Sequence, residues 1–176
     1  MTRRFDRDIT TGKKIHMQTL GALAHFDYNT PGVHSYEQVA QIIYQLGMGQ
    51  KEIEQLFRRM VFNVLARNQD DHVKNISFLM DTKGIWSLAP AYDITFAYEP
   101  QNFWLSKHQM SINGKLDSFT KEDIQMCGKR MNISRKRIES IIEEVRSAVS
   151  KWNMYAEQAK LEENLAKIIQ SNFVEL

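Results

Sequence analysis

Apolar positions along this chain fall mostly at helical spacing, and one stretch near the middle breaks that rhythm. Val39, Ile42, Ile43 and Leu46 share one stripe. Ser35 and Gln38 sit at the two positions of a capping box ahead of them, and Gly47 closes the segment. Ile53, Leu56, Phe57, Met60, Val61, Val64 and Leu65 continue the period through "QKEIEQLFRRMVFNVLAR". That helix becomes strongly apolar towards its end, so it arrives at Arg67 as a buried element. The period then changes: Ile76, Phe78 and Met80 alternate, the turn Asp81–Gly84 follows, and Ile85 and Trp86 come after it. This pattern predicts a short β-hairpin over 76–88, closed by Pro90. "AYDITFAYEP" and a long polar and aromatic stretch then run to Phe119 without a clear period. Thr120 with Asp123 forms another capping pattern, and Ser134 opens a long helix carrying Ile138, Ile141, Ile142, Val145, Val149 and Trp152 on one stripe. "LEENLAKIIQSNF" is a last amphipathic segment, while residues 1–33 are mixed, with a loop at Asn29–Gly32. The expected fold class is mainly α with a small central β-hairpin.

Composition narrows the setting. A chain of 176 residues with 43% hydrophobic content suits one globular domain with its own core. A net charge of +2, from 23 basic and 21 acidic residues, is too balanced to argue for nucleic acid or an anionic membrane. No apolar run approaches the roughly 18 residues of a membrane helix. "MTRRFDRDIT" has no apolar core behind it and does not read as a secretory signal. Cys127 is the single cysteine. It cannot pair internally and has no base near it in sequence, so it reads as a packing residue in a reducing, cytoplasmic setting.

The candidate chemistry lies in "RNQDDHVKN", between the buried helix and the hairpin. Asp70 and Asn75 stand at D-x-x-x-x-N spacing, and Asp93 lies just beyond the second strand. A hairpin folds its two ends together, so Asp93 is expected to return beside Asn75. Phosphoryl transfer needs a carboxylate for the hydroxyl proton and hard oxygen ligands for Mg²⁺. Protein kinases meet that need with an Asp, an Asn five residues later and a second Asp past a short hairpin. The His two residues after Asp70 is closer to the D-R-H-x-x-N of phosphatidylinositol kinases. Taken alone, Asp70, Asp71 and His72 are a solvated helix end. A site of Asp70, His72 and Asp93 holding Mn²⁺ or Zn²⁺ for hydrolysis is a further alternative, but Asn75 is a poor ligand for such a metal. His16, His25, His34 and His108 are scattered and read as surface or core residues. Arg3, Arg4 and Arg7 read as a solvated face or as partners of Asp6 and Asp8, and Arg135, Lys136 and Arg137 as a basic first helical turn.

"RRFDR" at Arg3–Arg7, "DDHVKN", "WSLAPAYDI" and "MSINGK" at Met110–Lys115 together resemble the C-terminal catalytic region of HipA-type serine/threonine kinases, the toxins of bacterial toxin–antitoxin modules. The resemblance implies the C-terminal lobe of a HipA-like, PI3/4-kinase-related fold over 1–176. Within it lie a catalytic loop at 67–75, the hairpin at 76–88, a metal-binding segment at 90–94 and a helical part at 120–175. It implies ATP- and Mg²⁺-dependent phosphorylation of a Ser or Thr hydroxyl on a protein. Asp70 would be the general base. His72, Val73, Lys74 and Asn75 would line the nucleotide phosphates, with Lys74 neutralising charge. Asn75 and Asp93 would hold Mg²⁺, with Tyr92 beside them. Family members commonly carry Gly where this chain has Asp71. They also carry an N-terminal lobe ahead of R-F-D-R, and no Gly-rich phosphate loop or strand Lys precedes residue 60 here. The expected partners are therefore a separate N-lobe protein, a HipB-like DNA-binding antitoxin and the protein substrate, with no membrane and no direct nucleic-acid contact. A catalytically inactive lobe that binds such a partner is the competing expectation. Phe103 and Trp104, amid polar residues, are expected to be exposed where an N-lobe would cover them.

Overall fold

The structure is a computed structural model that describes residues 4–176. Its elements run β1 (His16–Thr19), α1 (Leu20–Ala24), α2 (Tyr36–Gln45), α3 (Gln50–Leu65), β2 (Ser77–Met80), β3 (Trp86–Leu88), α4 (Lys121–Arg130), α5 (Arg135–Val149), α6 (Trp152–Gln158) and α7 (Glu163–Ser171). The capping signals hold. The Ser35 hydroxyl accepts from the Gln38 N–H while the Gln38 side chain takes the Ser35 N–H, and Thr120 with Asp123 does the same for α4. Ser134 caps α5.

The apolar face of α3 is the spine of the core. Ile53, Leu56, Phe57, Met60 and Val61 are fully buried, and α3 packs against α5 and α2. Cys127 on α4 is buried with its Sγ 3.5 Å from Met60 Sδ. Burial pushes its thiol far up, so it packs as a small apolar group rather than reacting.

Two expectations need correcting. The hairpin does not stand alone: β2 is the middle strand of an antiparallel sheet ordered β1-β2-β3, with Thr19 opposite Ser77 and Phe78 opposite both Gln18 and Leu88. A lone hairpin leaves one edge of β2 unpaired, and a third strand supplies those partners. β1 has the sequence HMQT and lacks an alternating pattern because neither His16 nor Met17 is buried. The second correction concerns the long C-terminal helix. It stops at Val149, and Trp152 starts α6 instead of continuing the stripe. The Ser150 hydroxyl donates back to the Ser147 carbonyl (3.0 Å), which competes with the helical ladder there. Trp152 then meets Phe173 edge-on and donates to the Ala166 carbonyl (3.0 Å).

At the N-terminal end, Arg4 and Arg7 both pair with Asp6 (2.6 and 2.7 Å), while Asp8 accepts from the backbone of Thr10 and Thr11. The hydrogen bond from Arg4 holds the Asp6 carboxyl down at about 2. Arg3 lies outside the described residues. Among the described residues no helix is long and apolar enough to cross a membrane.

Candidate active site

The chain leaves α3 through Arg67, whose φ of 55° lies in the left-handed region. The following loop is pinned at several points. The Asn68 N–H donates to the Asn63 carbonyl (2.9 Å) and the Gln69 N–H to the Ala97 carbonyl (3.0 Å). From the other side, the Gly21 N–H donates to the Val73 carbonyl (3.1 Å) and the Leu20 N–H to the Ile76 carbonyl (2.8 Å). A Cβ at Gly21 would sit 3.3 Å from both Val73 Cγ2 and the Phe26 carbonyl, so the start of α1 lies tight against this loop.

Asp70 and Asn75 meet as their spacing suggests: Asn75 Nδ2 donates to the Asp70 carbonyl (2.8 Å), and the Asn75 N–H to that of His72 (2.9 Å). The Asp70 carboxyl is half-exposed, and partial burial raises its pKa from the ordinary carboxylate range. His72 pulls the value down, and the charges of Asp93 and Asp71 push it up. His72 Nδ1 accepts from the Lys74 N–H (3.3 Å), which assigns the proton to Nε2, 3.8 Å from Asp70 Oδ1.

The 90–94 segment does return to this loop. The Tyr92 hydroxyl donates to the Lys74 carbonyl and lies 2.5 Å from Ser77 Oγ, so Tyr92 straps the segment to the loop. Burial raises the Tyr92 pKa. Asp93 follows with φ 53°, a left-handed turn that leaves its residue exposed. Its carboxylate makes no hydrogen bond or ion pair among the described residues, and Asn75 Oδ1 accepts none. An amide oxygen and a carboxylate without partners are hard donors of the kind Mg²⁺ takes. Among the described residues no three His, Cys, Asp or Glu side chains gather closely enough to hold a metal ion. Asp70, His72 and Asp93 are not gathered as such a set here.

Lys74 does not point freely into solvent. Its Nζ lies 3.3 Å from the centroid of the Tyr28 ring, a cation–π contact. Val73 corrects the expected phosphate lining: the residue is 2% exposed, its side chain belongs to the core and its carbonyl is taken by the Gly21 N–H. The aromatic pair Phe103 and Trp104 is exposed as expected, at 73% and 43%.

Asp71 faces inward, away from the side that Asp70 presents. It is 2% exposed and accepts three hydrogen bonds, from the Tyr36 hydroxyl (2.7 Å), His108 Nδ1 (2.8 Å) and the Gln109 N–H (2.8 Å). Asn63 Nδ2 donates to Tyr36 Oη (3.0 Å), and Asn68 Nδ2 to Asn63 Oδ1 (3.0 Å). Burial first, and then the Asp71 charge, raise the Tyr36 pKa well above its usual value. The extra carboxylate is thus a buried anchor rather than a charge set against phosphates. The sequence reading missed Tyr36, Asn63, Asn68 and His108. The available signal was Asn63, a polar residue on the apolar face of α3 close to the loop.

The model of the HipA-like C-terminal domain matches residues 1–152. The chain belongs to the HipA-like C-terminal domain family. A curated Haemophilus influenzae protein named "Putative kinase" is 36% identical over 98 residues, covering 51% of this chain and 28% of that protein. A solved structure of HipA from Shewanella oneidensis MR-1, in complex with HipB and its operator DNA, matches with a TM-score of 0.74 and 19% identity. That match covers 96% of this chain and 44% of the other, and it shows a shared fold. The chain spans less than half the length of either relative.

Proposed function

We propose that this HipA-like domain is the catalytic lobe of a serine/threonine protein kinase that transfers the γ-phosphoryl group of ATP to a Ser or Thr hydroxyl on a protein. The observation that carries this is the geometry around Asp70. It is a half-exposed carboxyl of raised pKa, on a loop closed by Asn75, with the free carboxylate of Asp93 beside it. Asp70 orients the acceptor hydroxyl and takes its proton, and a raised pKa makes it a better proton acceptor. His72 Nε2 faces Asp70 and steadies its charge. Magnesium, when bound, neutralises charge on the nucleotide phosphates. Asn75 Oδ1 and the Asp93 carboxylate would hold it. Lys74 adds positive charge at the edge of the loop, and Tyr92 keeps the metal-binding segment against it.

The first partner of this lobe is an N-lobe that forms the remaining wall of the nucleotide cleft, and Phe103 and Trp104 form part of the surface it covers. A HipB-like DNA-binding protein is the second partner, by analogy with the complex of the Shewanella HipA. The setting is the cytoplasm. The test is phosphate transfer from labelled ATP to a protein substrate with the N-lobe present. Asp70→Asn should lower kcat by about 10²–10⁴-fold, the usual span for losing a general base. Full transfer by that variant would overturn the assignment.

A further inference from the structure

Asp70 makes no direct bond to the irregular 97–109 stretch, yet the residues on both sides of it do. On one side, the Gln69 N–H donates to the Ala97 carbonyl (3.0 Å), and the Ala97 N–H donates to the Arg67 carbonyl (3.0 Å). With its amide oriented by its hydrogen bonds, the Gln69 side chain donates to the Leu105 carbonyl (2.8 Å) and the Ser106 carbonyl (3.3 Å) and accepts from Arg67 Nη1 (3.2 Å). On the other side, Asp71 accepts from His108 Nδ1 and the Gln109 N–H, both at 2.8 Å. Gln69 and Asp71 are 1% and 2% exposed, so water does not compete for these bonds. The 97–109 stretch is folded on itself as well. The Glu99 N–H donates to the Leu105 carbonyl (3.2 Å), the Ser106 N–H to the Asn102 carbonyl (3.0 Å), and Gln109 Nε2 to the Trp104 carbonyl. At its tip Phe103 and Trp104 stand in solvent, edge to face, with ring centroids 5.0 Å apart.

We propose that Gln69 and Asp71 are positioning residues that lock Asp70 to the 97–109 loop, so that the Phe103–Trp104 tip and the base move as one unit. The inference rests on Asp70 being the base. A residue whose two neighbours are both fixed through buried bonds has little freedom of direction. Those bonds lead to one loop, and that loop presents an exposed aromatic pair. Whatever engages the tip therefore acts on the aim of the Asp70 carboxylate, and coupling of this kind is reciprocal. It also gives the buried Asp71 a purpose: it adds a second tether beside that of Gln69.

The test combines hydrogen exchange of the 176-residue chain with phosphate transfer in the presence of the N-lobe. In Asp71→Asn, exchange should rise both at 68–73 and at 97–109 while the helices stay protected. kcat should fall by about 10²-fold, the scale expected for a misplaced catalytic group, with KM little changed. Gln109→Ala cuts the loop's own bond to the Trp104 carbonyl and leaves the core intact. It should also raise exchange at 69–72, across the tether, and it decides the matter if Asp71→Asn does not fold. Exchange that rises only at 102–109 in Gln109→Ala, or an unchanged kcat in a folded Asp71→Asn, would overturn the coupling. An unsubstituted chain without transferase activity would count against the kinase assignment alone, because the exchange measurements still decide whether loop and base are joined.

Discussion

Asp70 and Asp71 are neighbours with the same side chain, and their surroundings give them opposite duties. The Asp70 side chain is 42% exposed and that of Asp71 1%. A carboxylate out of water is costly unless hydrogen bonds replace its hydration. Asp71 has three, and each brings in a residue from elsewhere: Tyr36 from the start of α2, and His108 and Gln109 from the irregular stretch. Removing one partner leaves the others buried without full satisfaction. Tyr36→Phe takes the hydroxyl from both Asp71 and Asn63 and should cost about 1–3 kcal/mol, read as a lower urea midpoint at unchanged slope. An unchanged midpoint would mean that water replaces the hydroxyl. The small cavity of about 20 Å³ lined by Tyr36, Asn63, Asp71 and Asn75 is where such a water would sit. The outward residues of this loop were legible in sequence because Asp70, Asn75 and Asp93 keep a spacing that a hairpin converts into proximity. The inward ones were not. Tyr36 and His108 lie 35 and 37 positions from Asp71, and no local pattern announces a pairing across that distance.

At the scale of elements, the crossing of α4 over α3 and α5 is set by Gly128. A Cβ there would lie 2.8 Å from Ile138 Cδ1 and 2.9 Å from the Phe57 ring. Gly→Ala inside a helix ordinarily gains about 1 kcal/mol. Overpacking costs about 1–3 kcal/mol, so the clash should win. Gly128→Ala should melt a few degrees lower, and an equal or higher Tm would show that Ile138 shifts aside freely. The first turn of α4 carries a pH signature. Burial pushes the Asp123 carboxyl up, but hydrogen bonds from Lys115, Thr120 and Asn113 outweigh it and hold the carboxyl well below the usual carboxylate range. A carboxyl whose folded pKa is depressed is ionised in the fold where the unfolded chain has already bound a proton. Its contribution is therefore complete above about pH 4 and is lost as pH falls towards the folded pKa. Asp123→Asn should remove that part of the slope, so urea midpoints of variant and parent should converge as the solution is acidified. A constant gap between them down to pH 2 would refute this. α2 and the start of α5 were legible because capping residue and apolar stripe agree, α3 from its long apolar stripe and α4 from its Thr120–Asp123 cap. β1 was not, since its pairing is fixed by β2 rather than by its own residues. The end of α5 was missed because Trp152 continues the helical stripe in sequence while the backbone leaves helical geometry at Lys151 (φ −85°, ψ 12°).

At the scale of the whole molecule, the far end of the chain comes back to the 67–75 loop. The Val174 N–H donates to the Leu65 carbonyl (3.0 Å), at the exit of α3. Arg67 Nε donates to the Asn172 carbonyl (2.9 Å), and its guanidinium lies 4.5 Å from the centre of the Tyr98 ring. Arg67 is the residue held at positive φ between α3 and the loop. A left-handed conformation costs a non-glycine residue free energy and persists where its surroundings enforce it. The C-terminal segment is part of that enforcement, although it lies mostly beyond the residues 1–152 that match the family. It also buries Ala166 and Ile169 and packs Val174 and Leu176 against the core. Fully burying an apolar side chain of the size of Ile is worth about 1.5–3 kcal/mol, so Ile169 alone is a noticeable part of the stability of a small domain. Deleting residues 162–176 should lower Tm by several degrees and raise hydrogen exchange at 65–70 more than in the sheet. The same deletion should lower phosphate transfer by more than the loss of folded protein explains, because Arg67 also anchors the Gln69 side chain beside Asp70. If exchange at 65–70 stayed at the parent level while α7 was gone, α3 and the loop would be holding Arg67 without help, and the C-terminal segment would be a cover for the core only.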